Sequence, residues 1–196
     1  MSKQLMRKNM KDKLSRLDSD LYILYSEQIK TNFIKEISSL NVRTIGLTIS
    51  AFPEVNTEGI IHALWELGRT VVVPKCTPQD RSMTFYRIED YNQLETVYMN
   101  LKEPNPKLTT AVEPSSIDLL IVPGIVYSKS GYRIGYGGGY YDRFLSNYKG
   151  KSLSLAFDMQ LVDEIVSEDF DLPVDSIITE RTTIMCKENR EMGGLT

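Results

Sequence analysis

Apolar residues recur along this chain in two periods, and the places where the period changes mark out its elements. Between Asp20 and Leu40, Leu21, Leu24, Tyr25, Ile29, Phe33 and Ile37 fall near a helical repeat. Asp18 or Ser19 is placed to cap that helix and Asn41 to end it. Thr44-Ile-Gly-Leu-Thr-Ile49 predicts a strand, Ser50 to Asn56 the loop at its carboxyl end, and Thr57 to Leu67 an amphipathic helix closed by Gly68. Thr70-Val-Val-Val-Pro74 is another apolar strand. Strand, loop, helix, strand is a βαβ unit, and its handedness rule favours a parallel sheet.

Residues 75–117 are less regular. Met83 to Ile88 alternates as a strand, Tyr91 to Leu94 suggests a turn of helix, and Glu103-Pro-Asn-Pro106 an extended or turn segment. Apolar and aromatic residues continue through the region, so it reads as an elaboration of one domain and not as a linker. The apolar run at 118–123 predicts a buried strand, the segment from Tyr140 to Tyr148 a helix, and Ser152 to Phe157 a further strand, which together make a second βαβ unit. Leu161, Ile165 and Val166 suggest a short helix. Leu172-Pro-Val-Asp175 turns into the strand Ser176 to Ile178, and Thr183 to Cys186 ends the fold. One domain is expected over residues 1–186, with a polar tail from Lys187 to Thr196 expected to fray.

The stretch Gly131-Tyr-Arg-Ile-Gly-Tyr-Gly-Gly-Gly-Tyr-Tyr-Asp-Arg-Phe-Leu145 interrupts this pattern between strand and helix. Glycines at 135, 137, 138 and 139 remove β-carbons where the loop becomes a helix, which exposes backbone N–H groups suited to phosphate. Arg133 and Arg143 bracket the loop with fixed charge. Asp142 adds a carboxylate, and magnesium prefers one or two carboxylates together with phosphate oxygens. The loop lacks both the Lys-Ser/Thr ending of the Walker A signature and the glycine order of a dinucleotide site. A glycine-rich structural turn is the plainer reading. Glu54 lies just past a strand end, where open α/β sheets bind ligands, although a surface loop acid would look the same. Tyr136, Tyr140, Tyr141, Phe52 and Tyr127 offer flat walls to an aromatic ligand, or are core residues with a wet hydroxyl. Asp175 is a candidate second metal ligand, one acid among many.

Composition narrows the options. The chain has 196 residues, 41% of them hydrophobic and 25% charged, which suits one soluble domain with a substantial core. A net charge of -3 argues against a general nucleic-acid binder. Cys76 and Cys186 form no metal or redox spacing, so a reducing, cytoplasmic setting is expected. No apolar run approaches the roughly 18 residues of a membrane span, and no signal-peptide pattern opens the chain. His62, the only histidine, sits beside Ile61 and Trp65 on a helix and reads as a packing residue. Histidine-based triads and zinc sites therefore have little to work with. The first 17 residues carry Lys3, Arg7, Lys8, Lys11, Lys13 and Arg16 against one acid, Asp12. They fit a solvated helix face, a transit peptide, or an anion contact through Lys3 and Arg7 at helical spacing.

In order along the chain, Lys3-Gln-Leu-Met-Arg7, Glu54-Val-Asn-Thr57, Val72-Val-Pro74, Glu103-Pro104, Val122-Pro-Gly124, the run Arg133-Ile-Gly-Tyr-Gly-Gly-Gly-Tyr-Tyr-Asp142, Leu172-Pro-Val-Asp175 and Thr179-Glu180 resemble the 5-formyltetrahydrofolate cyclo-ligase family. Asn56 stands where an acid is common, and Tyr136 where relatives often carry a basic or different side chain. The resemblance implies an α/β three-layer sandwich with a mostly parallel central sheet flanked by helices. It implies ATP- and magnesium-dependent conversion of 5-formyltetrahydrofolate to 5,10-methenyltetrahydrofolate, with ADP and phosphate released through a phosphorylated formyl group. Lys3, Gln4, Leu5, Met6 and Arg7 would then contact ATP, as would Arg133, Ile134, Gly135, Tyr136, Gly137, Gly138, Gly139, Tyr140 and Tyr141. Ile49, Glu54 and the segment from Tyr136 to Tyr140 would contact the folate. Arg133, Tyr140 and Asp142 would be catalytic, and Asp142 and Asp175 would hold Mg2+. The expected partners are these two small molecules, not nucleic acid or membrane, for a monomer or weak homo-oligomer. A sugar-phosphate isomerase or CoA-transferase-like enzyme, or a nucleotide- or folate-binding module without turnover, are the rivals that fold alone leaves open.

Overall fold

The computed structural model describes residues 1–193. The elements in chain order are α1 (Lys3–Leu14), α2 (Ser19–Ser38), β1 (Thr44–Gly46), α3 (Glu58–Glu66), β2 (Thr70–Thr77), β3 (Ser82–Ile88), β4 (Leu94–Thr96), β5 (Lys102–Pro104) and β6 (Thr110–Val112). They continue as β7 (Leu119–Ile121), β8 (Val126–Ser128), β9 (Arg133–Ile134), α4 (Tyr140–Leu145), β10 (Lys151–Leu155), β11 (Leu161–Val162), β12 (Ser176–Ile178), β13 (Thr183–Met185) and α5 (Cys186–Gly193). The main sheet has eight strands in the order β13-β12-β10-β7-β1-β2-β3-β6. Its middle, β12 to β2, is parallel, and β13, β3 and β6 pair antiparallel at the edges. Both predicted βαβ units are present: β1 beside β2, and β7 beside β10.

The sheet is buried on both faces, as its unbroken apolar strands require. Val71 and Val73 turn to one side, where Ile29, Phe33 and Ile37 of α2 and Ile60, Ile61 and Leu64 of α3 cover them. Val72 turns to the other, into a second core that also holds Phe85, Tyr148 and Cys186 and against which Phe144 of α4 packs. This is the α/β three-layer sandwich expected. Gly46 belongs to the crowded middle: a β-carbon there would come within 2.9 Å of Leu120 and 3.2 Å of Phe85. No helix among the described residues is long and apolar enough to cross a membrane.

Several elements depart from the sequence pattern, each for a local reason. β1 ends at Gly46 because Thr48 to Thr57 folds back, braced by the Thr57 hydroxyl donating to Thr48 O and accepting from Ser50 N, both at 2.9 Å. β2 runs on to Thr77 because β3 pairs with it as far as Thr77 opposite Ser82. Of the short helix expected at 161–166, Leu161 and Val162 instead form β11, in parallel register with β8, and residues 163–166 form neither helix nor strand. α4 stops at Leu145, while the Tyr148 hydroxyl is anchored to Ile117 O at 3.0 Å. Residues 187–193, expected to fray, continue as α5: Cys186 is buried, and Arg190 donates to Ser130 O at 2.7 Å and Val174 O at 3.1 Å. Residues 194–196 of the expected tail lie outside the described residues.

Candidate active site

The loops after β1, β7 and β10 gather at the carboxyl ends of the parallel strands, where Thr48, Glu54, Gly124, Tyr127 and Gln160 line a cavity. Gln160 shapes its floor by accepting from Phe157 N at 2.8 Å and donating to Ile125 O at 3.0 Å. Glu54 is held from two sides. Its backbone oxygen accepts the Tyr22 hydroxyl at 3.0 Å, and Tyr22 meets Phe52 edge-on at 5.3 Å. Its carboxylate accepts from Ala51 N at 3.2 Å and from the Tyr136 hydroxyl at 2.6 Å. Burial pushes the Glu54 carboxyl above its usual range, and those two donors pull it part of the way back. Burial and the Glu54 charge likewise push the Tyr136 phenol up, so Tyr136 is the donor of this pair. The Lys11 ammonium lies over the Tyr136 ring, 4.9 Å from its centroid.

Tyr136 belongs to the glycine loop, which β9 delivers and α4 receives. Gly137 at φ +99 and Gly139 at φ +69 adopt the left-handed conformations that a side chain resists. The N–H groups of Gly137, Gly138 and Gly139 find no hydrogen-bond partner among the described residues. Successive free amides in a turn make an anion-binding concavity. Arg7 of α1 fixes the entry to the loop, donating through Nε to Gly135 O at 2.7 Å. One loop therefore carries an open amide nest and the phenol that reaches Glu54.

A model of the 5-formyltetrahydrofolate cyclo-ligase family matches residues 1–180. A 5-formyltetrahydrofolate cyclo-ligase of Saccharomyces cerevisiae is 30% identical over 202 residues, covering 90% of this chain and 94% of the relative. That of Escherichia coli K12 is 30% identical over 158 residues, covering 78% and 86%. The NMR structure of a 5,10-methenyltetrahydrofolate synthetase from Aquifex aeolicus superimposes with a TM-score of 0.82 at 25% identity, covering 95% and 94%. The chain belongs to the 5-formyltetrahydrofolate cyclo-ligase family. Members of this family are ligases that convert 5-formyltetrahydrofolate to 5,10-methenyltetrahydrofolate.

The cyclo-ligase residues anticipated from sequence are only partly brought together. Glu54, Tyr136 and the glycines converge, and Arg7 supports them. Ile134 is a core residue at 2% exposure, and Ile49 and Met6 pack against the same core. Gln4 and Leu5 are exposed on the first turn of α1. Tyr140 is half-buried, with its ring against Gly138. Tyr141 packs against the second core, and its buried hydroxyl has no partner among the described residues. Arg133 is 8% exposed and its terminal nitrogens are both engaged, with Leu172 O at 2.7 Å and Asp142 Oδ1 at 3.0 Å. Arg143 is exposed and among the described residues donates only to Gly139 O, at 3.2 Å. Lys3 sits between Glu168 and Asp171, at 2.6 Å and 2.5 Å.

The two carboxylates expected to share a metal have different neighbours. Asp142 opens the helix after the nest, and its second oxygen has no partner among the described residues, so it fits a cation that is otherwise bound by phosphate. Asp175 precedes β12 at the amino end of the sheet and accepts from Ser152 N at 2.9 Å and Ser152 Oγ at 3.1 Å. It braces β12 against β10 through one carboxylate oxygen. Among the described residues no three His, Cys, Asp or Glu side chains cluster to hold a metal ion. Sequence reasoning missed Tyr22, Gln160 and Asp171. Tyr22 showed only as one more residue of an amphipathic helix, and nothing local marks the other two.

Proposed function

We propose that the chain makes 5,10-methenyltetrahydrofolate from 5-formyltetrahydrofolate at the expense of ATP, with Mg2+ bound by Asp142 and the nucleotide phosphates. The observation that carries this reading is the 2.6 Å hydrogen bond from Tyr136 to Glu54, which sets an amide nest for phosphate beside a carboxylate for the folate. The formyl oxygen of an amide-like group is a poor leaving group. Attack of that oxygen on the γ-phosphorus of ATP forms the O–P bond, releases ADP and leaves an iminium phosphate. The N10 amine then adds to the formyl carbon, loses its proton, and the carbon–oxygen bond breaks with phosphate as leaving group. No protein nucleophile is needed, which suits a chain with one histidine.

The residues supply position and charge. The amides of Gly137 to Gly139 face the transferred phosphoryl group, and their preorganised dipoles cost no rearrangement when charge develops. Mg2+ supplies charge neutralisation on the phosphate oxygens. Arg133 holds Asp142 in place from behind. Glu54 accepts from the N–H donors of the pterin, with Tyr22 and Phe52 supporting its loop. The unpaired Cys76 and Cys186 support a reducing cytoplasmic setting, and we take a monomer or weak homo-oligomer as the working unit.

The test is ATP-dependent growth of the methenyl-folate absorbance in the near ultraviolet after 5-formyltetrahydrofolate is added with Mg2+. Folded protein that produces no such signal, or produces it equally without nucleotide, refutes the assignment.

A further inference from the structure

The family model matches residues 1–180, and α5 begins beyond them, at Cys186. Yet α5 is firmly tied. Its first residue is fully buried in the second core, and Cys186 N donates to Asp175 O at 2.9 Å. One turn further on, two side chains reach the turn that joins β8 to β9. Asn189 donates to Lys129 O at 3.2 Å, and Arg190 donates through one nitrogen to Ser130 O at 2.7 Å and Val174 O at 3.1 Å. Val174 N donates back to Gly131 O at 3.0 Å, and Gly131 N donates to Ser128 O at 2.9 Å. Three segments therefore meet at Gly131. The position needs glycine: φ is +91, and a β-carbon would run into Val174 O and come within 2.9 Å of Cys186 Cβ. Hydrogen bonds from a charged donor are roughly twice as strong as neutral ones, so Arg190 is the main tie.

We propose that Arg190 is a positioning residue for the ligase reaction: by clamping the β8–β9 turn to Val174, it sets the glycine loop that β9 carries. The lever is short. β9 is Arg133–Ile134, both buried, so the chain from Gly131 reaches Gly135 with little slack to absorb a shift of the turn. The amides of Gly137 to Gly139 follow directly, and their value to a phosphoryl group depends on being held in place before charge develops. Arg7 ties the same loop from the side of α1, at Gly135 O. The inference rests on the reading of the glycine loop as the phosphate end of the site. A helix that only stabilised the fold would raise the melting temperature and leave the kinetics of the folded enzyme alone. A clamp on the nest acts on the nucleotide side of the reaction more than on Glu54, which stands on the loop after β1.

The experiment compares Arg190→Met, Arg190→Lys, Asn189→Ala and Glu188→Gln in the full chain, assayed below the melting onset of every variant. Arg190→Met is expected to lower kcat/KM for ATP about tenfold, short of the ~10²-fold cost of a full 1 Å misplacement, with the KM for folate unchanged. Arg190→Lys keeps the charge and should recover part of the loss. Asn189→Ala should lose less in the same direction, and Glu188→Gln, exposed on the first turn of α5, should match wild type. A lower melting temperature for Arg190→Met with wild-type kcat/KM for ATP overturns the proposal, as does an equal loss for ATP and folate. If Arg190→Met does not fold, Asn189→Ala decides by the same criteria. The amide resonances of Gly137 to Gly139 supply a readout that does not depend on turnover. They should shift in nucleotide-free Arg190→Met, and changes confined to α5 and to residues 128–132 and 172–175 overturn the coupling. A wild-type protein that makes no methenyl product sinks the functional reading instead, and the resonances still decide whether α5 sets the loop.

Discussion

Arg133 and Arg143 flank the same loop, but their surroundings predict opposite consequences of losing them. Arg133→Met keeps the apolar stem and removes the guanidinium, whose side chain is 4% exposed and which bonds Leu172 O and Asp142. A charge-assisted bond to a buried carbonyl contributes about 1.5–3 kcal/mol. The pair with Asp142 is discounted to about 1 kcal/mol, because that carboxylate is 29% exposed and partly screened by solvent. The sum is a loss of about 3 kcal/mol, a large part of the stability of an ordinary domain. At about 2–4 °C per kcal/mol for a chain of this size, the melting temperature should fall by about 6–12 °C. Arg143→Met removes one bond of 3.2 Å at an exposed site and should cost less than about 0.5 kcal/mol. Urea unfolding followed by far-ultraviolet circular dichroism measures both. A loss below about 1 kcal/mol for Arg133→Met, accompanied by a steep rise in the KM for ATP, would refute the reasoning, because the guanidinium would then be free to bind phosphate.

Glu54 makes a second prediction with a definite sign. Its folded-state pKa is raised above the ordinary 4.5, chiefly by burial, so the folded chain holds this proton to higher pH than the unfolded chain. The stability it contributes is present at low pH and is lost as pH rises from 4.5 through the folded value, so the melting temperature of wild type minus that of Glu54→Gln should fall across that window. A flat difference refutes it. Burial and the nearby Glu103 push the Cys76 thiol up to about 11. At pH 8 about one part in a thousand is then thiolate, and Cys76 should react with a disulfide reagent far more slowly in the native protein than in urea. Gly137→Ala, at φ +99, should cost about 1–2 kcal/mol and raise the KM for ATP more than that for folate. Gly135→Ala, with nothing within 4 Å of the added carbon, should stay within about 0.5 kcal/mol of wild type, as read by the same melts.

The parts of the molecule that sequence exposes are those whose physics is local. Val71 to Val73 alternate between two cores because a strand has period two, and that pattern is visible without a structure. The glycine loop is visible because only glycine relieves the backbone at Gly137 and Gly139. What stays hidden is set by distant pairing. Lys3 meets Asp171 across a separation of 168 residues, and no local pattern tells a lysine facing acid from one facing phosphate. Asp175 sits in a family motif, yet its orientation depends on Ser152 arriving beside it when β10 and β12 pair. β11 failed as a helix because Leu161 finds a strand partner in β8 that lies 34 residues earlier (161 minus 127). In each case the side chain is legible and its partner is not.

The distribution of charge around the loop suits the phosphoryl transfer proposed above. A transferred phosphoryl group needs donors at the place where charge develops, held there before it develops. Long arginine and lysine side chains facing solvent would have to be ordered at each turnover, at a cost in rotamer freedom of up to about 2 kcal/mol apiece. Backbone amides in a glycine turn carry no such cost, provided that something else holds the turn. Arg7 holds its entry at Gly135, and Arg133 holds its exit at Asp142. Arg7 and Arg133, two of the basic residues that look like phosphate ligands in sequence, thus also tie the two ends of the loop, and the Tyr136 hydroxyl reaches from it to Glu54. Because Tyr136 donates to Glu54, the proposed function requires a folate that claims the Glu54 carboxylate to break or share that bond, and so to alter the loop proposed to receive ATP. Tyr136→Phe should therefore weaken the mutual dependence of the two KM values more than it weakens either one, and an undiminished dependence would mean that the two halves of the site communicate by another route.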